Sequence, residues 1–354
     1  MRKVILTTGG TGGHIYPALA IAEELKNRGV ETLFIGSSVR MEQELIPKEG
    51  FKFIGLEIYP LRSLRALWKM LKSIRKAYKL IKDENPDAVI GFGNYISVPA
   101  LVAAALLKKK IYLQEQNVKM GAANRVFYRF SDKTFVSFDE TFEEIPIKHQ
   151  DKIVVTGNPI RKEFFRIDRE LEREKLKMEK DEKMVLIIGG SLGAKSINSA
   201  IMKNIDDFVE EKKLRLYWAT GKKNFQEINE KLGRVKNNDV IKPYFDNIPS
   251  IMAAADMVVC RAGASTISEL IELEKPSILI PYGYVGQMDN AMVLAKAGAA
   301  MIVEDEKAED AVEIMFELAK DNSKLQDMRR KAKSLKRGNA VNKIVEEMDI
   351  WRIN

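Results

Sequence analysis

Val4-Ile5-Leu6-Thr7-Thr8-Gly9-Gly10-Thr11-Gly12-Gly13-His14 opens the chain, and Met184-Val185-Leu186-Ile187-Ile188-Gly189-Gly190-Ser191-Leu192-Gly193-Ala194 repeats its form in the second half. Each stretch is a short apolar run suited to a buried strand, then a glycine loop, then a helical pattern. After the first loop the helical stretch Pro17–Arg28 stops at Gly29, and Thr32–Gly36, Ala88–Gly91 and Ile111–Gln114 read as further strands with helical pieces between. After the second loop Arg215–Ala219, Asp256–Cys260 and Ser277–Ile280 continue the alternation. Strands alternating with helices imply parallel sheets covered on both faces. The expected fold class is therefore α/β, with two domains that each open with strand, glycine loop and helix. Ligands in such sheets bind at the carboxyl ends of the strands, so two such edges facing each other would form a deep cleft for two substrates.

The rest of the composition agrees with two domains. The 354 residues exceed one ordinary core, and 45% apolar with 31% charged residues reads as globular. Residues 165–183, highly charged and poor in large apolar groups, read as a solvated linker or exposed helix. The single cysteine, Cys260, excludes an internal disulfide framework and a Cys-rich zinc site, and fits a reducing compartment. Met1-Arg2-Lys3-Val4-Ile5-Leu6 reaches Gly9 too soon for a signal-peptide core and reads as a first strand. The longest apolar run, Val98–Leu107, contains a proline. A spanning helix needs about 20 residues, so no membrane crossing is expected.

The net charge of +8 is unevenly placed: residues 1–158 hold 24 Lys+Arg against 17 Asp+Glu, leaving 34 against 33 beyond them. The excess traces to residues 60–82, where Arg62, Arg65, Lys69, Lys72, Arg75, Lys76, Lys79 and Lys82 occur without one acid. A basic excess alone fits nucleic acid, a membrane surface or an anionic substrate. On a helical wheel Leu64, Leu67, Trp68, Leu71, Ile74, Tyr78 and Ile81 share one side and most of the basic residues the other. Such a helix lies in a membrane interface, or packs its apolar side on the sheet; a mixture is expected, with its first turns peripheral and the rest packed.

The glycine loops point to phosphate. Glycines let the backbone turn tightly beside a ligand, and helix N-terminal N–H groups attract anions. A dinucleotide fingerprint fails, because counting G-x-G-x-x-G from Gly10 puts its last glycine on Ile15, and the second strand ends Ile35-Gly36-Ser37-Ser38 with no acid for a ribose. No phosphate loop of the G-x-x-x-x-G-K-[ST] type occurs either; Gly221-Lys222 is followed by Lys223.

Several stretches together resemble the MurG family of bacterial peptidoglycan synthesis. They are Gly9-Gly10-Thr11-Gly12-Gly13-His14, Gly91-Phe92-Gly93-Asn94-Tyr95-Ile96-Ser97, Glu115-Gln116-Asn117, Gly157-Asn158-Pro159-Ile160-Arg161, Gly189–Ala194 and Cys260–Glu269. They keep the family's order and spacing. The resemblance implies a GT-B fold with the acceptor in an N-terminal domain, 1–160 plus a returning C-terminal helix at about 338–354, and UDP-GlcNAc in a domain spanning 161–337. It implies N-acetylglucosamine transfer to undecaprenyl-diphospho-MurNAc-pentapeptide, at the cytoplasmic face of the cell membrane. The partners it implies are UDP-GlcNAc, the lipid-linked muropeptide and an anionic membrane surface, with no nucleic acid and with room for a cell-wall synthesis or division complex. The chain departs from the family's usual residues at Asn94 (Gly), Gln114 (His), Leu192 (Gln) and Gly286 (His).

A transfer from an α-linked donor to a β-linked product needs a base for the acceptor hydroxyl. The only histidines are His14 and His149. His14, at a helix start whose dipole favours the neutral ring, is read as that base, as a ligand of the acceptor diphosphate, or as a capping residue. Glu115 is the second candidate base, or else a buried carboxylate bonded to its neighbours. His149 lies in a polar stretch and is expected to be exposed. The resemblance implies that Ser191 and Thr266 hold the donor diphosphate, Arg161 neutralises the leaving UDP, Glu269 accepts from the ribose hydroxyls and Phe245 abuts the uracil. It also places Gln287 and Asn117 on the sugar, while Thr11, Gly12, Gly13, Tyr95, Ala264 and Ser265 complete the substrate-binding set. No Asp-x-Asp triplet occurs, so no metal or other cofactor is expected. Two other readings remain: a different GT-B enzyme, such as a diacylglycerol glycosyltransferase or an epimerase, and a catalytically silent nucleotide-sugar-binding subunit.

Overall fold

The structure, a computed structural model, describes residues 1–60, 63–190, 193–232, 239–283 and 286–349. Its chain forms two compact units, one from Met1–Arg161 joined by the chain from Arg337 onward, the other from Lys162–Lys336.

The first unit is built on β1 (Lys3–Thr7), β2 (Glu31–Ser37), β3 (Phe53–Leu56), β4 (Ala88–Gly91), β5 (Lys110–Glu115), β6 (Lys133–Val136) and β7 (Ile153–Val155). They pair in the order β3-β2-β1-β4-β5-β6-β7, every pair parallel. Central strands buried on both faces need continuous apolar runs, which Val4-Ile5-Leu6 and Ala88-Val89-Ile90 supply at 0% exposure. The first helix spans Gly12–Asn27, starting five residues before the expected Pro17. Thr11 takes the extended N-cap conformation, and Pro17 is tolerated inside the helix. The returning helix Ala340–Glu347 lays Val341, Ile344 and Val345 against Ile15, Leu19 and Ala22 of that first helix.

The helix Leu64–Glu84 begins at Ser63, whose hydroxyl accepts from Ala66 N at 3.2 Å, and ends at Asn85 in the left-handed region. Such an N-cap contributes about 1 kcal/mol. Its packed stripe is Ala66, Met70, Ser73, Ala77 and Ile81. The expected apolar side therefore splits: Ile81 and half-buried Ile74 face the core, while Leu67, Trp68, Leu71 and Tyr78 are exposed. Small residues in the stripe admit close approach to the neighbouring helix Val98–Leu106, itself lined by Ala100, Ala103 and Ala104. Arg62 of the basic segment lies outside the described residues.

The second unit holds β8 (Lys183–Ile188), β9 (Leu214–Ala219), β10 (Val240–Lys242), β11 (Met257–Cys260), β12 (Ser277–Leu279) and β13 (Ala300–Ile302). The order is β10-β9-β8-β11-β12-β13, again wholly parallel. Trp218, fully buried, donates its indole N–H to Asn198 at 3.1 Å. The charged stretch 165–183 is not simply solvated. It forms the helix Arg169–Lys175 and buries Glu172, Arg173 and Glu182. Arg215 grips Glu182 through two bonds of 2.9 and 2.6 Å, and Arg173 bonds Asp256 at 2.9 Å. The charges are buried because partners distant in sequence meet them at the strand starts.

Candidate active site

In each unit the strand order reverses direction once, between β1 and β4 and between β8 and β11. Loops diverge at such switch points and leave a crevice at the carboxyl ends of the strands. The first such crevice is flanked by the loop 8–11 and the loop 92–97. Asn94 ties the two together: its side-chain amide donates to Gly9 O at 2.5 Å and its Oδ1 accepts from Ile96 N at 2.8 Å. Asn94 sits at φ 53, a left-handed conformation that Asn tolerates better than other side chains. That accounts for Asn where the family usually has Gly.

Beneath the loop lies a carboxylate the sequence reading passed over. Glu42 is fully buried and accepts from Gly10 N and Ser37 N, both at 3.0 Å. A Cβ on Gly9 would stand 2.1 Å from the Glu42 Oε1, so the close approach requires glycine there. The only available signal was an acid inside an otherwise ordinary helical run.

His14 stands in the first turn of the helix Gly12–Asn27, after Gly12 and Gly13. Its Nδ1 lies 2.9 Å from the hydroxyl of exposed Thr11. The ring is only partly covered, yet desolvation pushes its pKa down to about 4, so it is neutral at pH 7. Thr8 donates its hydroxyl to His14 O at 2.8 Å, fixing the backbone of that turn.

Glu115, at the end of β5, has both oxygens occupied. Oε1 accepts from Asn117 N at 3.0 Å and Nδ2 at 3.2 Å; Oε2 accepts from Gly121 N and Asn124 Nδ2, each at 2.9 Å. Burial pushes its carboxyl pKa up, and the donated N–H bonds oppose that. Buried Gln114 donates towards Glu115 O, Ser137 and Asn158, and accepts from Gln116 at 2.5 Å. A neutral amide network thus occupies the place where the family usually has His. Tyr95 is half-buried against the unit's core, and the Arg161 guanidinium sits 5.4 Å from the ring of Tyr16. His149 is not simply exposed: it is half-buried, edge-on to Tyr128 at 5.5 Å.

In the second unit Gly263 is the N-cap of the helix Ala264–Glu272, with no side-chain cap bond. Ala264 is buried; Ser265, Thr266 and Glu269 are partly open. A helix start presents N–H donors and the positive end of its dipole, so this turn suits a phosphate. Arg261 stands just before it. It donates to Ile280 O at 3.0 Å, Asp305 at 2.6 Å and Ser196 at 2.9 Å, tying together the chain after β11, β12 and β13 and the helix Lys195–Lys203. Gln287 Oε1 accepts from Tyr282 N at 2.9 Å. Phe245, expected against uracil, is 2% exposed, and its ring packs 5.9 Å from that of Tyr217. Ser191 lies outside the described residues.

Two wholly parallel α/β units, each with a glycine loop at its switch point, define the GT-B architecture. The description "Glycosyltransferase family 28 N-terminal domain" matches residues 4–136, and "Glycosyltransferase family 28 C-terminal domain" matches residues 184–347. A UDP-N-acetylglucosamine--N-acetylmuramyl-(pentapeptide) pyrophosphoryl-undecaprenol N-acetylglucosamine transferase of Fusobacterium nucleatum subsp. nucleatum is 53% identical, with 99% of each chain covered. A transferase of the same name from Acetivibrio thermocellus is 39% identical over 97% of this chain and 96% of its own. The crystal structure of Acinetobacter baumannii MurG superposes with a TM-score of 0.79 at 25% identity, covering 99% of this chain and all of the other. A calicheamicin glycosyltransferase, at 13% identity and a TM-score of 0.71, shares the fold alone. The chain belongs to the MurG family.

Proposed function

We propose that this protein transfers N-acetylglucosamine from UDP-GlcNAc to the MurNAc 4-hydroxyl of undecaprenyl-diphospho-MurNAc-pentapeptide, with inversion. The observation that carries this reading is 53% identity, end to end, to a relative bearing that transferase's name. The two sites fit the chemistry. The acceptor belongs to the first unit and the donor to the second.

In the transfer the acceptor oxygen attacks the anomeric carbon as the carbon–phosphate-oxygen bond breaks, and UDP leaves with the electron pair. The hydroxyl proton passes to His14, already neutral at pH 7. With Nδ1–H donating to Thr11, Nε2 keeps the lone pair that accepts it. Glu115 spends its oxygens on the loop 117–124 and holds the acceptor side in shape; it is the weaker base candidate. Gly12, Gly13 and Thr11 line the same turn, with Tyr95 and Asn117 beside the neighbouring strand ends. In the second unit the N–H groups at Ala264, Ser265 and Thr266, with Ser191, neutralise the diphosphate. Glu269 takes the ribose hydroxyls, Gln287 the sugar, and Arg161 the charge developing on UDP.

The acceptor is anchored, so the enzyme gains by residing at the cytoplasmic face of the membrane as a peripheral protein. Exposed Leu67, Trp68 and Leu71 beside exposed Arg65, Lys72 and Lys76 support this, and no described helix is long and apolar enough to cross a membrane. The test of the function is incubation with labelled UDP-GlcNAc and a short-chain acceptor analogue. Label entering the lipid fraction one-for-one with UDP release is expected. UDP release without acceptor, or label on another lipid only, would overturn it.

A further inference from the structure

At the amino-terminal end of the second sheet, opposite the loops just described, lies a cavity of about 410 Å³. Its walls come from the helix Arg169–Lys175, the segment 178–183, Asp256 before β11, and the start of the helix Asn322–Ser334. The electrostatics of this cavity are unbalanced. Arg169 and Arg173 both bind Asp256, at 2.8 and 2.9 Å. Behind them Lys275, fully buried, donates to Ala253 O and Ala255 O at 2.5 and 2.8 Å. Arg329 joins them from the helix Asn322–Ser334, half-buried and with no hydrogen bond or ion pair among the described residues. Arg169 Nε is buried and likewise unsatisfied.

Burial pushes the Lys275 pKa well down, so the charges that converge on the one buried carboxylate, Asp256, are the three guanidiniums of Arg169, Arg173 and Arg329. The other acids nearby are spent or rim-placed. Glu170 pairs with Arg169 at 2.5 Å and is 73% exposed, Glu274 pairs with Lys336 at 2.9 Å, and Glu174 and Glu179 are exposed. Lys180 and Lys183 add positive charge on the far wall. Desolvation and the Arg169 charge both push the Arg329 pKa down, against the weaker pull of Asp256, Glu274 and Glu170. A half-buried guanidinium beside another guanidinium is costly unless an anion joins them. Guanidinium forks suit phosphate oxygens; the N-terminus of the helix Asn322–Ser334 is already capped by Asp321, which accepts from Lys324 N at 2.9 Å, so the guanidiniums carry the attraction.

We propose that this cavity is an anion site, bridged by Arg169 and Arg329, for a phosphate or pyrophosphate group, free or borne on a small molecule. It lies at the strand ends opposite the donor loops, so its occupant is neither donor nor product of the transfer. Binding there would clasp the first helix of the unit to the helix Asn322–Ser334 and stabilise the unit without supplying chemistry.

The test is calorimetry on the full chain, saturated with UDP to fill the donor loops, at constant ionic strength. Pyrophosphate, inorganic phosphate and a phosphate monoester such as ribose 5-phosphate are titrated in parallel. Arg329→Gln removes the unpaired cation without touching an internal bond. The expected result is saturable pyrophosphate binding weakened about tenfold or more by Arg329→Gln, with UDP affinity unchanged. Tighter binding of the monoester than of either inorganic ion would identify the occupant as a phosphorylated metabolite; the reverse would identify a free ion. No saturable binding, or equal binding to wild type and Arg329→Gln, would overturn the proposal.

Discussion

His14 carries the acid–base chemistry proposed here, and its surroundings make that role measurable. Its pKa in the fold is about 4 against an ordinary 6.5. Between those values the unfolded chain binds the extra proton, so stability contributed by the neutral ring is complete above 6.5 and lost as pH falls towards 4. The same shift moves the acid limb of kcat/KM for this group to about 4; a limb near 6.5 would reject the desolvated ring, and the absence of any limb between 4 and 6.5 would reject His14 as the base. His14→Ala should lower kcat by roughly 10²–10⁴ with circular dichroism unchanged. Thr11→Val should lower kcat more than it raises KM, because it removes the hydroxyl that holds the His14 ring at Nδ1. Glu115→Gln, by contrast, should show as a loss of thermal stability, since it exchanges one acceptor oxygen for a donor facing N–H groups. His14 was legible in the sequence because histidine is scarce and this one follows a glycine loop. Glu115 as a buried carboxylate bonded to its neighbours was one of two readings; its partners Gly121 and Asn124 were not legible, because they reach it only once the loop has closed.

At the scale of elements, the central strands were legible because burial on both faces leaves an unbroken apolar run. The strands not foreseen were β3, β6, β7, β10 and β13, three or four residues each. Four of them are sheet edges, where one neighbour is missing and the apolar signal thins. The helix Leu64–Glu84 was legible as amphipathic, but its packed stripe depends on Ala66, Ser73 and Ala77, which carry little hydrophobic signal. Its exposed residues yield a prediction. Replacing Arg65, Lys72 and Lys76 by Gln should weaken sedimentation with anionic vesicles, each basic residue near such a surface being worth on the order of 1 kcal/mol. UDP affinity should not change. Wild-type protein showing no preference for anionic over neutral vesicles at low salt would reject membrane attraction by this helix. On the helix Ala264–Glu272, Glu269→Ala should weaken UDP binding by about 1.5–3 kcal/mol; calorimetry on the folded variant decides it.

At the scale of the molecule, the repeated strand–loop–helix opening announced two α/β units, and the family's motifs fell at the strand ends of both. The charged stretch 165–183 could not be read correctly from sequence. Its partners Asp256 and Arg215 come from strands far along the chain, and a buried ion pair looks like a solvated one until they are in place. In the proposed transfer, helix N-termini and Arg161, in place of a divalent ion, take up the charge on the departing UDP. The direct measurement is transfer from UDP-GlcNAc to a short-chain acceptor in excess EDTA, with the new linkage determined by proton NMR. A β1,4-linked disaccharide formed at an undiminished rate is the expected result. Activity abolished by EDTA and restored by magnesium or manganese, or an α-linked product, would contradict it.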